Sequence, residues 1–280
     1  MTPALSRAAP RRDPARLLAP LWQHAPGFTA TGLLAALALL PLYAAMALDM
    51  RLFQGESVWL KPIKFHIALA IYLLTLAFFA RWLPATMLAR RDWRVFVWAV
   101  NFAVVAELVW VGAAAAINTA SHFNTTIPAF AAIYGLMGVF AVLLTSASLV
   151  MGVAIWRNRA TGLDPALHLG IALGLILTFA LTLPVAGTLS SLGAHLVGPS
   201  DGSRLWLMGW SRDAGDPRVA HFLATHALHA VPLAGLLASR LLPPAAARGA
   251  VILAAVAFSL LVAGTFWQAM QGRPFLPWMG

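Results

Sequence analysis

The chain has 280 residues, 61% of them hydrophobic and only 10% charged, with a mean hydropathy of +0.80, whereas soluble domains run at about 45–50% apolar and 25% charged. That excludes an ordinary soluble fold and points to a membrane protein. The formal charge of +10, from 19 basic residues against 9 acidic ones, then reads as loop arginines holding helices in a bilayer rather than as a nucleic-acid surface.

No cysteine is present, so a disulfide scaffold, a cysteine zinc finger and a catalytic thiol are excluded. Lys61 and Lys64 are the only lysines. With abundant Arg, Ala, Leu, Gly and Pro, this is the composition of a GC-rich bacterial genome.

From the N-terminus, Met1 to Phe28 carries Arg7, Arg11, Arg12 and Arg16 but no short apolar core followed by a small-residue cleavage site. A cytoplasmic arm, residues 1–28, is expected rather than a removable signal peptide. Its Arg11–Trp22 portion reads either as an amphipathic surface helix or as a Pro- and Ala-rich disordered tail. A helix needs about 20 predominantly apolar residues to cross a hydrocarbon core of roughly 30 Å. Seven stretches qualify: Thr29–Leu48, Ile63–Pro84, Val95–Ile117, Ile127–Trp156, Ala166–Leu189, Val219–Leu242 and Ala250–Met270. The expected fold is all-α, a polytopic bundle of seven transmembrane helices over residues 29–271 with a tail, 272–280. No two halves share motifs, which counts against the internal repeats many transporters carry.

Cytoplasmic loops retain the excess of basic residues. With the N-terminus inside, twelve arginines against Asp13, Asp92 and Asp164 leave +9 in the inner segments. Seven basic residues against Asp49, Glu56, Asp201, Asp213 and Asp216 leave +2 in the outer ones, and Glu107, inside the third stretch, supplies the remaining −1. The N-terminus is therefore expected in the cytoplasm and the C-terminus outside, in a cell inner membrane. Trp82, Trp93 and Trp156 near the inner ends, with Trp59, Trp267 and Trp278 near the outer ones, fit aromatic belts.

Inner connections are short and basic, as structural turns should be, whereas outer ones are chemically mixed. Asp49–Pro62 holds acid, base, Gln54 and Trp59, and Ser190–Arg218 is long enough to suggest function. Within the latter, Ser203–Arg212 reads as a short interfacial helix over the outer mouth, with Trp206 and Trp210 four apart on one face.

Six of the eight histidines, His66, His122, His195, His221, His226 and His229, fall in outer loops or the outer halves of spans. At about 1.5 Å of rise per residue, His66, Glu107, His226 and His229 lie roughly 5–15 Å below the outer ends of their spans and can meet in one layer. A charged side chain at the bilayer centre costs about 2.5–3.5 kcal/mol on insertion scales, so such groups face the bundle interior or a water-filled cavity. Glu107 is the one acid inside a span. It needs a partner, and a His229–Glu107 contact is expected. One such histidine commonly does no more than bridge helices by a hydrogen bond; four polar residues in one layer point to a site.

Lys61 and Lys64 stand at a helix N-terminus, where backbone donors favour an anion. A phosphate, a carboxylate or a haem propionate would suit them, as would anionic lipid headgroups reached by snorkelling. The polar turn Ser121–Pro128 supplies Asn124 or Thr125 as a helix cap and His122 as a ligand or proton carrier. Pro41, Pro184 and Pro232 lie inside spans and should kink them, Pro232 opening space beside His229.

Seven spans raise the question of retinal, but Ala250–Met270 has no lysine for a Schiff base. The late cluster His221-Phe-Leu-Ala-Thr-His226-Ala-Leu-His229, taken with His66 on the second span, partly resembles the alkaline-ceramidase and adiponectin-receptor superfamily, seven-span metal hydrolases with histidines on the second and seventh spans. The cluster departs from that pattern: it sits on the sixth span, without the HxxxH spacing or the serine and aspartate motifs.

Three functions follow as expectations. The first is a haem- or metal-binding redox protein. His66 with His226 or His229 would ligate haem b axially, or these residues would hold zinc, copper or iron, and Lys61, Lys64 and His122 would contact the cofactor. The second is a metal-dependent lipid hydrolase at the outer leaflet, its zinc on His66, His226 and His229 and Glu107 as catalytic base. The third is a proton-coupled transporter or channel in which Glu107 and the histidines relay protons. Membrane lipid and a small-molecule or lipid substrate from the outer side are the expected partners; nucleic acid is not. No phosphate-cradling glycine loop, dinucleotide fingerprint or Gly-x-Ser-x-Gly elbow occurs.

Overall fold

A computed structural model describes residues 14–205 and 208–276. They form an all-α bundle. Helix α1 (Pro14–His24) leads into α2 (Pro26–Leu37) and α3 (Leu39–Leu48), and a two-stranded hairpin, β1 (Leu52–Phe53) with β2 (Glu56–Ser57), connects these to α4 (Leu60–Phe79). Then follow α5 (Ala85–Leu88), α6 (Arg91–Ala116), α7 (Pro128–Arg157), α8 (Pro165–Leu192), α9 (Arg218–Thr225), α10 (Ala227–Leu241) and α11 (Pro244–Met270).

Among the described residues six helical units, α2 and α3 counted as one, are long and apolar enough to cross a membrane. The pair α9 and α10, bent by 48° at its junction, makes a seventh. The chain is a multi-pass membrane protein, and the seven apolar stretches are its spans to within a turn or two. Of the arm, Pro14–His24 is helical; Arg7, Arg11 and Arg12 lie outside the described residues.

Local chemistry sets the helix boundaries. Prolines open α2, α7, α8 and α11, where the missing N–H costs nothing, and Asp164 caps α8 by accepting from the Ala166 N–H at 2.8 Å. Pro41 cannot donate to the Leu37 carbonyl, and the first span breaks at Ala38, within that turn. Pro232 likewise leaves the Leu228 carbonyl without a donor.

The sixth span is interrupted one turn earlier. The His226 N–H closes α9 onto Phe222, and α10 begins anew with the N–H groups of His229 and Ala230 on the His226 carbonyl, both at 3.0 Å.

Leu73, Leu76, Val100, Val104, Met151, Leu175 and Leu228 fill the main core. The closest helix approach is α8 against α10, through Gly170, Gly174 and Gly235. A Cβ on Gly174 would stand 2.6 Å from Pro232 Cδ and 2.9 Å from the Ala227 carbonyl oxygen, so glycine is what lets these backbones touch.

The hairpin, the turn 117–127 and the loop 193–217 share one end of the bundle, called the hairpin end below. Among the described residues of Ser203–Arg212, the interfacial helix expected there is not formed. Gly209, at φ 70°, reverses the chain, Arg204 pairs antiparallel with Ser211, and the Leu205 N–H bonds to the Trp210 carbonyl at 2.7 Å. Trp206 and Trp278 lie outside the described residues. Trp210 packs edge-on against Phe222 and Phe275.

Candidate functional site

The long loop is fastened over the hairpin end by ion pairs. Asp216, 1% exposed, accepts from Arg218 Nε at 2.8 Å and from the Ser211 N–H at 3.0 Å, while Arg218 also donates to the Gly209 carbonyl at 2.9 Å. Arg204 pairs with Glu56 at 2.7 Å, and Lys64 Nζ reaches the Met208 carbonyl at 3.4 Å. Lys64, expected to meet a cofactor, is thus engaged with this loop. Beside the hairpin, Arg51 chelates Asp49 and donates to the Ala116 carbonyl at 2.9 Å. Hydrogen bonds from Arg51 and Trp59 hold the Asp49 carboxyl well below the usual carboxylate range.

A polar turn sits under this cover. Trp110, one turn from Glu107 on α6, donates from its indole to the Ser121 carbonyl at 2.8 Å. Asn124 does not cap α7, which starts without a side-chain cap; it folds back to donate to the Ala120 carbonyl and accept from the Thr126 hydroxyl at 2.7 Å. The arrangement presses the His122 ring against Phe65, at 5.3 Å between centroids, and near Tyr134. Burial, then the charges of Lys61 and His221, pushes His122 down to about 3, so it is neutral at physiological pH. Lys61 Nζ lies 5.9 Å over the same Phe65 ring.

Deeper in the bundle the histidines are locked by hydrogen bonds on one edge. His66 Nδ1–H donates to the Pro62 carbonyl at 2.8 Å. His226 Nδ1–H donates to the Phe222 carbonyl at 2.7 Å, and its ring lies on Phe222 at 4.0 Å. In both rings Nε2 is therefore the bare nitrogen. The Thr75 hydroxyl gives its one proton to the Ile71 carbonyl, so it accepts from His229 Nε2–H at 3.0 Å. His229 Nδ1 is left as a lone pair, buried and without a hydrogen-bond partner.

The His226 and His229 rings are 5.5 Å apart. Glu107 is 4% exposed and its Oε2 also has no partner; the charge that acts on it is that of Lys61. The expected His229–Glu107 contact is not formed, because His229 is turned to Thr75 on α4.

Nor do the three expected metal ligands converge. Among the described residues no three His, Asp or Glu side chains come together to hold a metal ion. Helices α4 and α9–α10 both start at the hairpin end, and the Thr75–His229 bond sets their register. His66 then lies about 13 Å from the Thr75 level toward the hairpin end, and His226 about 4–5 Å from that of His229. The resulting offset between the levels of His66 and His226 along the helices is about 9 Å.

His66, His226 and His229 therefore stand at different levels, and among the described residues they do not gather into a three-ligand cluster for zinc. What the fold brings together are two groups: His122 and Lys61 on the Phe65 ring at the mouth, and His226, His229 and Thr75 in the bend. His221 lies on α9 between the loop and His226. The Asp216–Arg218 clamp also escaped the sequence reading; its signal was an acid and a base two apart immediately before a span.

No known family, curated protein or solved structure matches the chain.

Proposed function

We propose that this is a proton-coupled transporter or channel of a bacterial inner membrane, its polar layer facing outward at the hairpin end. One observation carries the reading. A span broken at His226 stands beside His229, a buried imidazole whose Nδ1 lone pair has no donor. Interrupted helices at membrane depth line cavities or sit in protein, and an imidazole with one nitrogen satisfied and the other bare is poised to take a proton. The balance of basic residues between the two sides supports the orientation.

On this account protons enter past a neutral His122, His226 and His229 receive them in the bend, and Glu107 holds one in the wall of the third span. Reconstitution with a pH-sensitive dye inside the liposomes tests it, a panel of small carboxylates, amines and sugars being added to the hairpin side. At least one solute should drive proton movement, and His229→Ala or His226→Ala should cut it at least tenfold. No proton movement with any solute, or undiminished movement in both variants, would overturn the reading.

A second reading, a redox protein carrying a transition metal such as copper or iron, draws on the His226–His229 pair alone, whose rings at 5.5 Å can offer two nitrogens to one ion. Elemental analysis of the purified protein decides it: one equivalent of metal lost in His226→Ala supports it, and metal-free wild-type protein sinks it.

A further inference from the structure

We infer that Lys61 and Glu107 form a proton-linked subsite for a small monocarboxylate, walled by Phe65 and His122. The inference rests on the transport reading and names the substrate class of that same site. Most of the cations around the mouth are engaged: Arg51 with Asp49, Arg204 with Glu56, Arg218 with Asp216 and Lys64 with the Met208 carbonyl.

Lys61 is exposed, and among the described residues its ammonium makes no ion pair and no hydrogen bond. Glu107 is the converse, more than nine-tenths buried with an oxygen that nothing satisfies. Contacts join the two. Trp110, one turn along from Glu107, holds the Ser121 carbonyl, the adjacent His122 ring rests on Phe65, and Lys61 lies over that same Phe65. This series of contacts runs from the helix turn that carries Glu107 to Lys61, and no ion pair closes between the two among the described residues.

The chemistry of these groups selects the ligand. One uncommitted ammonium between aromatic walls suits a single negative charge, and a phosphate dianion would call on the basic neighbours already engaged with the loop. Lys61 can balance the charge of Glu107 or that of a bound carboxylate, not both. When Glu107 takes a proton, with formation of its O–H bond, Lys61 is released to the substrate, so anion and proton bind together and the site gains no net charge. Binding of each then favours the other by the same factor.

The other ionisable groups on the elements packed against α6 are Lys64, His66 and Tyr72 on α4 and Tyr134 and Arg157 on α7, with His122 in the adjoining turn. The α9–α10 span carries His221, His226, His229, Arg240 and the committed Arg218. On the first span the one ionisable side chain is Tyr43, and α5 carries none.

Calorimetric titration of the full chain in nanodiscs tests this, with formate, acetate, lactate and benzoate as ligands and inorganic phosphate as the contrasting anion, at pH 5.5, 6.5 and 7.5. Carboxylate affinity should rise up to tenfold per pH unit as pH falls. Lys61→Met should lose at least tenfold and Lys61→Arg should keep binding, which also shows that the site still folds. Glu107→Gln should bind equally at all three pH values.

No carboxylate binding, preference for phosphate, binding indifferent to Lys61→Met, or a wild-type pH dependence retained in Glu107→Gln would each overturn the inference. Proton movement in liposomes without carboxylate binding removes this subsite alone. Carboxylate binding of the expected pattern without proton movement removes the transport reading and leaves the subsite.

Discussion

At the end opposite the hairpin, polar side chains are spent on closing turns. Asp164 caps α8, Asn158 donates to the Trp82 carbonyl at 2.9 Å, His168 donates to the Ile155 carbonyl at 2.6 Å, and Arg90 pairs with Asp92 in the open. At the hairpin end comparable pairs form a cover, and beneath it polar atoms are left over. Of the buried side-chain atoms without a partner among the described residues, Glu107 Oε2, Thr182 Oγ1 and Arg212 Nε lie in the hairpin half, His229 Nδ1 at mid-span and Asn101 Oδ1 in the other half. A membrane protein fills hydrogen-bond capacity wherever it only needs structure. Capacity left open in a buried layer marks the place where something mobile, a proton or a substrate, completes it.

The contrast between the ends can be broken most severely at Asp216, whose side chain is wholly buried while Arg218 still reaches solvent. Asp216→Ala should cost about 2–4 kcal/mol, below the full range for a buried pair because Arg218 can rehydrate; chemical denaturation in detergent measures it, and a loss under 1 kcal/mol would show that the cover is not clamped. Gly174→Ala should cost about 1–3 kcal/mol by overpacking α8 against α10, while Gly187→Ala, with open space around it, should be neutral or slightly stabilising.

His122 sharpens the contrast through pH. The folded protein resists its protonation and the unfolded chain does not, so stability is intact above about 6.5 and falls as pH drops toward 3. A loss of about 1 kcal/mol between pH 7 and 5.5 is expected, and His122→Phe should flatten that slope. The smallest effect belongs to the opposite end: Asp92→Ala, which breaks an ion pair with both side chains more than 60% exposed, should leave the denaturation midpoint unchanged.

Seven spans were legible because a 20-residue apolar run has few alternatives in a chain this poor in charge. The order of polar residues along each helix was legible too, by counting; how the levels of separate helices match was not, and His66 stands about 9 Å nearer the hairpin end than His226. Which way each side chain turns was not legible either. The His229–Thr75 pairing depends on the 48° bend at His226 and on the glycine contacts of α8 with α10, neither of which helical spacing encodes.

The same limit explains Ser203–Arg212. Two tryptophans at i, i+4 suggested a helix, and the reversal at Gly209, with backbone pairing across it, decided otherwise. The ion pair and the hydrogen bond that fasten the loop join Glu56 to Arg204 and Lys64 to the Met208 carbonyl, across more than a hundred residues of sequence where no local pattern can announce them.

The central claim, that a polar path runs from the hairpin end to the His229–Thr75 pair, is tested most directly by thiol accessibility, because the chain has no cysteine of its own. Thr75→Cys should react with a membrane-impermeant maleimide added from the hairpin side, more slowly than the exposed loop control Asp201→Cys, and should not react from the opposite side. Asp201→Cys labelled while Thr75→Cys stays unreactive from the hairpin side would contradict the account.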